Sequence, residues 1–588
     1  MIYLNIPFIK LPFGNKTKKL KGRWEKYFTE DELNKEIPNN TMYEEIQSAC
    51  NRFASYDAIN YYGKVIKFNK FIKLIDRASN AFYNIGVRKG DIVSICMPNT
   101  PEAITAVYAL NKIGAVASMI HPLSGETEIK NYVNEGNSEY LVTIDMDYEK
   151  ISNIDDETNL KKIICVSAAD SMPLYMKIGY FFTKKHKYLN PTYNNRYIKW
   201  KKFLRKYGKD VIIPESHNDG DSPAVILHSG GTTGKPKGIV NSNRSFAALI
   251  IQGETFLKRL KIGDKCLTIM PIFHGFGIGV TMHTAYALGV STILLPTFDA
   301  KKFDVLLNKH HPNVVMGVPT LFEALTKTNK VKNLDLSCIK YIVSGGDSLN
   351  PALEDRINTY LKEHGCEIEI AQGYGMTEAM SAVSCDYKEV HRAGSIGIPF
   401  LHNYIQIIDP VTRKEVKPME KGEICICGPT VMMGYLNNEE ETNEMLQIHN
   451  DGHIWLHTGD MGHMDKDGFV FYDQRIKRMI ISSGYNVYPQ HVEEIIESHP
   501  AVLQCTVVGM PHPYKMEVAK AFIVLNDGFR PSIFTKKEIK DYCKKNLAHY
   551  ECPYKFVFRK SLPKTLLGKI DFKKLQDDNG EDDDYGEE

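Results

Sequence analysis

The sequence predicts an α/β fold: a large N-terminal domain of α/β subdomains that includes a small β subdomain, then a compact α+β C-terminal domain. Three observations carry this. Apolar strand-like runs alternate with amphipathic stretches of helical length over most of the chain, the pattern of parallel sheets covered by helices. Over 394–473 the pattern changes to short alternating runs separated by Gly, Pro, Asn and Asp, the pattern of a small β subdomain. From about Ile476 strand and helix patterns alternate again to about residue 575. With 588 residues the chain exceeds one core, and a prior of ~150 residues per domain gives three or four subdomains.

In order, apolar residues at Phe68, Phe71, Ile72, Ile75, Ala78, Ala81 and Phe82 mark one helix face, with Gly86 as its stop. Strand 92–97, helix 101–113 with proline in its first turn, strand 115–120, helix 126–133 and strand 140–144 follow. A buried strand spans 224–227. Then come strand 266–270, a helix around 281–287, strand 292–295, a helix near 301–309, strand 314–318, a helix from Thr320 and strands 341–344 and 369–371. In the β subdomain the strands are 404–408, 422–427 and 469–472; beyond it lie strand 479–481, helix 489–498, strands 506–509 and 521–525, and a Lys-rich helix at 535–547. Asp and Glu crowd the tail at 576–588, which reads as disordered. No internal repeat is present.

A formal net charge of +2 gives no global signal for nucleic acid or acidic partners, and no nucleic acid is expected. The 12 cysteines contain no C-x-x-C pair, which suits a reducing compartment and implies neither disulfide framework nor zinc site. The 1–21 segment has no positive charge ahead of its apolar piece, so it is a poor signal peptide, and no run reaches the ~18 apolar residues of a membrane span. A cytoplasmic protein is the expectation. Between 173 and 209 eleven Lys/Arg and no Asp or Glu interleave with aromatic residues. Such a segment suits the inner face of an anionic membrane as a peripheral contact, packs as an ordinary insertion, or binds RNA, although no RNA module accompanies it.

The richest stretch is Ser229-Gly230-Gly231-Thr232-Thr233-Gly234-Lys235-Pro236-Lys237-Gly238. Its glycines let backbone N–H groups converge, and its hydroxyls and ammonium groups add charge-assisted bonds, which equips it to cradle a polyphosphate. It is not a P-loop: three residues separate Gly230 from Gly234, and Pro236 stands where the magnesium-binding hydroxyl belongs. Gln372-Gly373-Tyr374-Gly375-Met376-Thr377-Glu378 offers close backbone approach, a ring for stacking on a purine, a hydroxyl and a hard carboxylate ligand for magnesium. Trp455-Leu456-His457-Thr458-Gly459-Asp460 ends in a carboxylate suited to two hydroxyl bonds. His453 and His457 lie four apart on a β-like segment, so they share no helix face and no metal is assigned to them. Asp473-Gln474-Arg475-Ile476-Lys477-Arg478, Ser482-Ser483-Gly484-Tyr485-Asn486-Val487-Tyr488-Pro489 and Pro563-Lys564-Thr565-Leu566-Leu567-Gly568-Lys569-Ile570 complete six ordered motifs.

Together these motifs resemble those of the adenylate-forming superfamily of acyl-CoA synthetases, aryl-CoA ligases, peptide-synthetase adenylation domains and luciferases, over roughly 91–571. They look closest to bacterial fatty-acyl-CoA ligases. The resemblance implies an N-terminal AMP-binding domain over 1–475 and a mobile C-terminal domain over 476–575, with Lys477 as hinge. It implies ATP, magnesium and coenzyme A as cofactor and co-substrates, an acid activated through an acyl-adenylate, and an acyl carrier protein as the alternative acceptor. Lys569, Glu378 and Thr232 take the catalytic roles, with Glu378 on the metal. Ser229, Gly230, Gly231, Thr232, Thr233, Gly234, Lys235 and Lys237 hold phosphates. Gly346, Tyr374, Gly375, Thr377, Asp460, Arg475 and Lys569 complete the nucleotide site. His274 (in Pro271-Ile272-Phe273-His274-Gly275-Phe276-Gly277) and Gly317 face the acyl group, and Ser483, Gly484 and Tyr485 meet the pantetheine arm. A medium- or long-chain fatty acid is the preferred substrate; aryl-CoA ligase and degenerate ATP-binding homologue are the alternatives. Three departures stand out: Gln474 replaces the family's usual Gly before Arg475, Arg478 replaces its usual Asp after the hinge lysine, and Asp347 replaces a small residue in Ser344-Gly345-Gly346-Asp347.

Overall fold

The computed structural model describes residues 20–183, 191–214, 218–229, 237–328, 330–386, 390–482, 485–512, 514–565 and 569–578, without the side chains of Phe181, Thr183, Lys477, Ile481, Tyr485 and Asn486. Two large sheets build the N-terminal part. The first runs Gly434–Tyr435, Lys237–Ser242, Pro223–Ser229, Val116–Ile120, Ile92–Cys96, Tyr140–Ile144, Lys162–Val166 and Tyr197–Lys199. It is parallel from Pro223–Ser229 onward, while Lys237–Ser242 and Gly434–Tyr435 extend it antiparallel. The second runs Ile398–Pro399, Ser384–Cys385, Ala371–Tyr374, Tyr341–Gly345, Val314–Gly317, Lys265–Thr268, Ser291–Leu294, Asp57–Tyr61 and Lys64–Lys67, parallel except at both ends. One buried cluster passes through both sheets and the helices between them, joining Ile95, Tyr108, Phe246, Phe276, Tyr286 and Val343.

Local chemistry explains the elements. The helix Pro101–Ile113 starts where the Thr100 hydroxyl accepts from the Ala103 N–H, has proline in its first turn, and stops at left-handed Gly114 (φ 83°). Phe68–Asn84 buries Phe68, Phe71, Ile75, Ala78, Ala81 and Phe82, the predicted stripe apart from the half-buried Ile72. The helix expected around 281–287 begins earlier: Phe276–Thr284 is wound as a π-helix that passes into Ala285–Ala287. The Thr284 hydroxyl bonds the Gly279 carbonyl five residues back, which helps hold the wide turn. The strand expected at 369–371 is Ala371–Tyr374 instead, because Gly373 pairs with Gly345 of the neighbouring strand and draws the motif into the sheet.

The β subdomain is a separate sheet, Tyr404–Ile408, Gly422–Cys427, Ile454–Met464 and Leu446–Ile448, with Val470–Arg475 paired to Ile454–Met464. The C-terminal sheet joins Tyr485–Val487, Ile480–Ser482, Met516–Leu525 and Val502–His512, with Lys555–Phe558 parallel to Met516–Leu525, and Pro489–Glu497 and Ile533–Asn546 cover it. The acidic tail starts later than expected. Gln576 closes the helix Phe572–Gln576, and Asp578 accepts from Lys520 through its carbonyl (2.7 Å) and pairs with Arg559 (2.9 Å); 579–588 lie outside the described residues. All twelve cysteines are free. The 173–209 segment divides: Tyr197, Trp200 and Phe203 are buried, whereas Leu174, Tyr175, Ile178 and Phe182 are exposed.

Candidate active site

The predicted motifs converge on the carboxyl ends of parallel strands, where open α/β sheets bind ligands. Ser229 ends Pro223–Ser229, Gly317 ends Val314–Gly317, Gly345 and Gly346 follow Tyr341, and Tyr374 ends Ala371–Tyr374. Gly317 pairs in register with Ser344, and Gly345 with Gly373, which sets the motifs expected to face the acyl group and the nucleotide on adjacent strands. Gly346 has φ 80°, a conformation that favours glycine. At Gly375 a Cβ would collide with the Ser381 backbone, so only glycine allows that approach.

Gly230, Gly231, Thr232, Thr233, Gly234, Lys235 and Pro236 lie outside the described residues, but their flanks define the loop's base, because Ser229 and Lys237 face each other across an antiparallel pair. The Lys237 ammonium sits 2.6 Å from Glu441 Oε1 and 5.1 Å from the centre of the Tyr435 ring. The Tyr435 hydroxyl donates to Glu378 Oε1 (3.1 Å), and the Glu378 carbonyl accepts from the Met432 N–H (2.8 Å). Burial, then the Glu378 charge, pushes the Tyr435 phenol up, so it stays a donor. The donor set fits a hard divalent cation: a carboxylate steadied at one oxygen by a phenol, with Thr377 beside it at the start of the turn Thr377–Ala379.

Asp460 and Arg475 oppose each other across two paired strands. The Tyr374 hydroxyl donates to Asp460 Oδ2 (2.7 Å), and Arg475 Nε lies 3.3 Å from Oδ1. Asp460 is 2% exposed, and Oδ1 accepts no hydrogen bond in this arrangement. It is thus a buried acceptor that faces the Arg475 charge with its hydrogen-bonding capacity unused. Burial raises the Asp460 carboxyl, while Arg475, Tyr374 and Lys569 pull it down. Asp460, outweighing burial, raises Arg475. Tyr472 stands 6.2 Å from Tyr374, ring centre to ring centre, tilted by 33°.

Lys569 reaches this cluster from the C-terminal domain. Its Cε would be 3.9 Å from a Cβ built on Gly346, and its backbone carbonyl accepts from the Thr565 N–H (2.7 Å). Burial lowers the Lys569 ammonium, Asp347 and Asp460 support it, and Arg475 opposes it. The departure at Asp347 therefore sets a carboxylate against the lysine. Burial, then Lys569, pushes His274 down to about 4. His274 Nδ1 accepts from the Phe276 N–H (3.2 Å), which leaves its proton on Nε2.

Docking of the small domain rests on named contacts. Asn350 donates to Glu497 Oε2 (2.5 Å), Gln490 donates to the Ser348 hydroxyl (3.2 Å), and the Lys421 ammonium lies 5.2 Å from the Tyr488 ring centre. The departure at Arg478 is absorbed within the small domain: its guanidinium pairs with Glu493 (2.5 Å), bonds the Val507 carbonyl (3.3 Å) and covers the Phe572 ring at 3.8 Å. Lys477 occupies the turn Ile476–Arg478. Ser483 and Gly484 lie outside the described residues, and Tyr485 pairs by its backbone with Ser482 in the C-terminal sheet. Sequence reasoning missed Tyr435, Glu441 and Tyr472. Tyr472 borders the recognised Arg475 motif, while the pairing of Gly434–Tyr435 with Lys237–Ser242 that delivers Tyr435 has no local sequence signal.

Comparison with known proteins agrees with this geometry. A sequence model described as AMP-binding enzyme matches residues 46–436, and one described as AMP-binding enzyme C-terminal domain matches 491–569. The chain is 31% identical over 549 residues to a long-chain-fatty-acid–CoA ligase of Bacillus subtilis (strain 168), covering 93% of this chain and 96% of that protein. It is 30% identical over 509 residues to a probable 4-coumarate–CoA ligase of Dictyostelium discoideum, covering 86% and 89%. A crystal structure of an anthranilate CoA ligase with anthranoyl-AMP shares the fold, with TM-score 0.78 at 23% identity over 93% of this chain and 98% of that one.

Proposed function

Because the chain belongs to the AMP-binding enzyme family and is an acid–thiol ligase, we propose that it activates a medium- or long-chain fatty acid through an acyl-adenylate and transfers the acyl group to coenzyme A. The observation that carries the reading is Lys569, brought from the small domain to the cleft formed by Gly346, Asp347, Asp460 and His274. The similarity to a long-chain-fatty-acid–CoA ligase over nearly all of both chains supports the acyl class. Neutral His274 on the acyl side supports it as well, since an amino-acid substrate would need a carboxylate there to pair with its ammonium.

The acid is ionised at pH 7 and already nucleophilic, so attack on the α-phosphorus of ATP requires no protein base. The chain supplies charge and alignment instead. Lys569 bridges the incoming carboxylate and the α-phosphate. Asp460 Oδ1 accepts a ribose hydroxyl, Arg475 stays beside it, and Tyr374 supports both while offering its ring to the base. Ser229, Lys237 and the loop between them grip the β- and γ-phosphates. Glu378 would hold magnesium, which when bound supplies counter-charge to the triphosphate. Pyrophosphate leaves, and the thiol of coenzyme A then attacks the acyl carbon and expels AMP. Lys569 blocks that approach while docked, so the small domain turns about Lys477 between the two steps.

The exposed face of Leu174–Thr183 supports peripheral contact with an anionic lipid surface. Leu174, Tyr175, Ile178 and Phe182 are 75%, 69%, 54% and 72% exposed and share one side of the helix, and the next helix in the chain, Trp200–Tyr207, carries Lys202, Arg205 and Lys206. Among the described residues no helix is long and apolar enough to cross a membrane.

A panel of C6–C18 and aromatic acids, assayed for acid-dependent AMP release with and without coenzyme A, tests the reading. The account expects the highest kcat/KM for an aliphatic acid and coenzyme A-dependent turnover. Preference for an aromatic acid would favour the aryl-CoA reading, to which the 4-coumarate–CoA ligase similarity points, and turnover only with a carrier protein would replace the acceptor.

A further inference from the structure

The β subdomain holds a second polar cluster that adenylation leaves unused. Glu423 and Cys425 alternate on Gly422–Cys427 and so point to one face. His457 opposes Cys425 across the antiparallel pair, and His449, just beyond Leu446–Ile448, closes over both. His457 Nδ1 lies 3.6 Å from Cys425 Sγ, and His457 Nε2 lies 3.1 Å from His449 Nε2. One ligand atom from each of Cys425, His449 and His457 falls within 4.8 Å of the other two, the one such group among the described residues.

We propose that Cys425, His449 and His457 form a zinc-binding site in the β subdomain. Zinc bonded tetrahedrally to sulfur and nitrogen holds its ligand atoms about 3.3–3.6 Å apart; the 3.1 Å between the two Nε2 atoms is close to this, and the Cys425 thiol has to turn from His457 Nδ1 toward Nε2, within the 4.8 Å that already encloses one ligand atom of each residue. A thiolate with two imidazoles selects zinc over magnesium or calcium. Outer partners for both rings are already in place: His449 Nδ1 lies 3.0 Å from Gln406 Oε1 and His457 Nδ1 lies 3.0 Å from Glu423 Oε2, which leaves Nε2 of each for the metal. Trp455 stacks on His449 at 5.3 Å and 14° and limits its rotation. As the Sγ–zinc bond forms, the Cys425 thiol proton leaves to solvent. The competing occupant is Arg413, whose half-exposed guanidinium lies 3.0 Å from His457 Nδ1 and swings outward when Glu423 takes that N–H. Glu423 Oε1 also accepts from the Gly459 N–H (3.0 Å), so an occupied site pins the strand segment that leads into Asp460.

Metal-free full-length protein titrated with Co2+, read by its thiolate-to-cobalt charge-transfer band, tests this. One equivalent should saturate the band and Zn2+ should bleach it. Cys425→Ser should abolish it, His449→Asn should weaken binding, and Gln406→Leu should raise Kd about 10- to 100-fold. Arg413→Gln should tighten binding. Circular dichroism verifies that each variant folds, and the part-exposed His449 carries the test if Cys425→Ser does not fold. No charge-transfer band in the folded wild type, or a band unchanged in Cys425→Ser or His449→Asn, overturns the proposal.

Discussion

Glu497 shows how one side chain can make the docked arrangement sensitive to pH. It accepts from Asn350 of the large domain and from the Cys505 N–H (2.8 Å), and burial, reinforced by Glu493 against these bonds, raises it to about 7. The folded molecule therefore holds this proton more tightly than an unfolded glutamate at about 4.5. Its contribution is fully present below the unfolded value and is lost as pH rises toward and through 7, by at most about 1.4 kcal/mol per unit. Glu497→Gln, which keeps the acceptor and the shape, should flatten the fall of Tm between about pH 5 and pH 7; an identical slope in both proteins would contradict this. Single residues were legible in the sequence when a motif named them, as with Asp460, Arg475 and Lys569. Partners such as Tyr435 and Glu441 were not, because long-range strand pairing alone delivers them.

At the scale of elements, parallel strands read well because both of their faces are buried, and the runs at Ile92–Cys96 and Tyr140–Ile144 are apolar almost throughout. Ala371–Tyr374 read poorly because its glycine and tyrosine look like a turn, while pairing with Tyr341–Gly345 makes them sheet. The π-helix Phe276–Thr284 was equally hidden: it buries most of its circumference, so no amphipathic period announces it. The mixed composition of 173–209 resolves by element, with Trp200 and Phe203 in the core and Leu174–Thr183 turned outward. Leu174→Gln with Ile178→Gln should lower co-sedimentation with anionic vesicles severalfold while leaving turnover of a soluble short-chain acid unchanged. Equal sedimentation of variant and wild type would remove the membrane role, and equal affinity for neutral vesicles would remove its preference for anionic lipid.

At the scale of the whole molecule, the small domain sits with Lys569 in the cleft, held by Asn350–Glu497, Gln490–Ser348 and Lys421 beside the Tyr488 ring. In the proposed mechanism that arrangement serves the first half-reaction, and the second requires it to break. Lys477→Pro fixes φ at the turn and biases Ile476 away from its helical conformation. It should slow overall turnover at least about tenfold, the effect of ~1.4 kcal/mol on the barrier, while adenylation measured alone falls less; unchanged turnover would rule Lys477 out as hinge. The central claim is that Lys569 acts in adenylation alone. The direct measurement is a comparison of both half-reactions in Lys569→Ala, acyl-adenylate formation from acid and ATP against thioester formation from supplied acyl-adenylate and coenzyme A. The account predicts that the first falls by about 10²- to 10³-fold or more, the cost of removing a charge-stabilising donor, while the second is largely kept. Equal loss of both, or retention of the first, would contradict it.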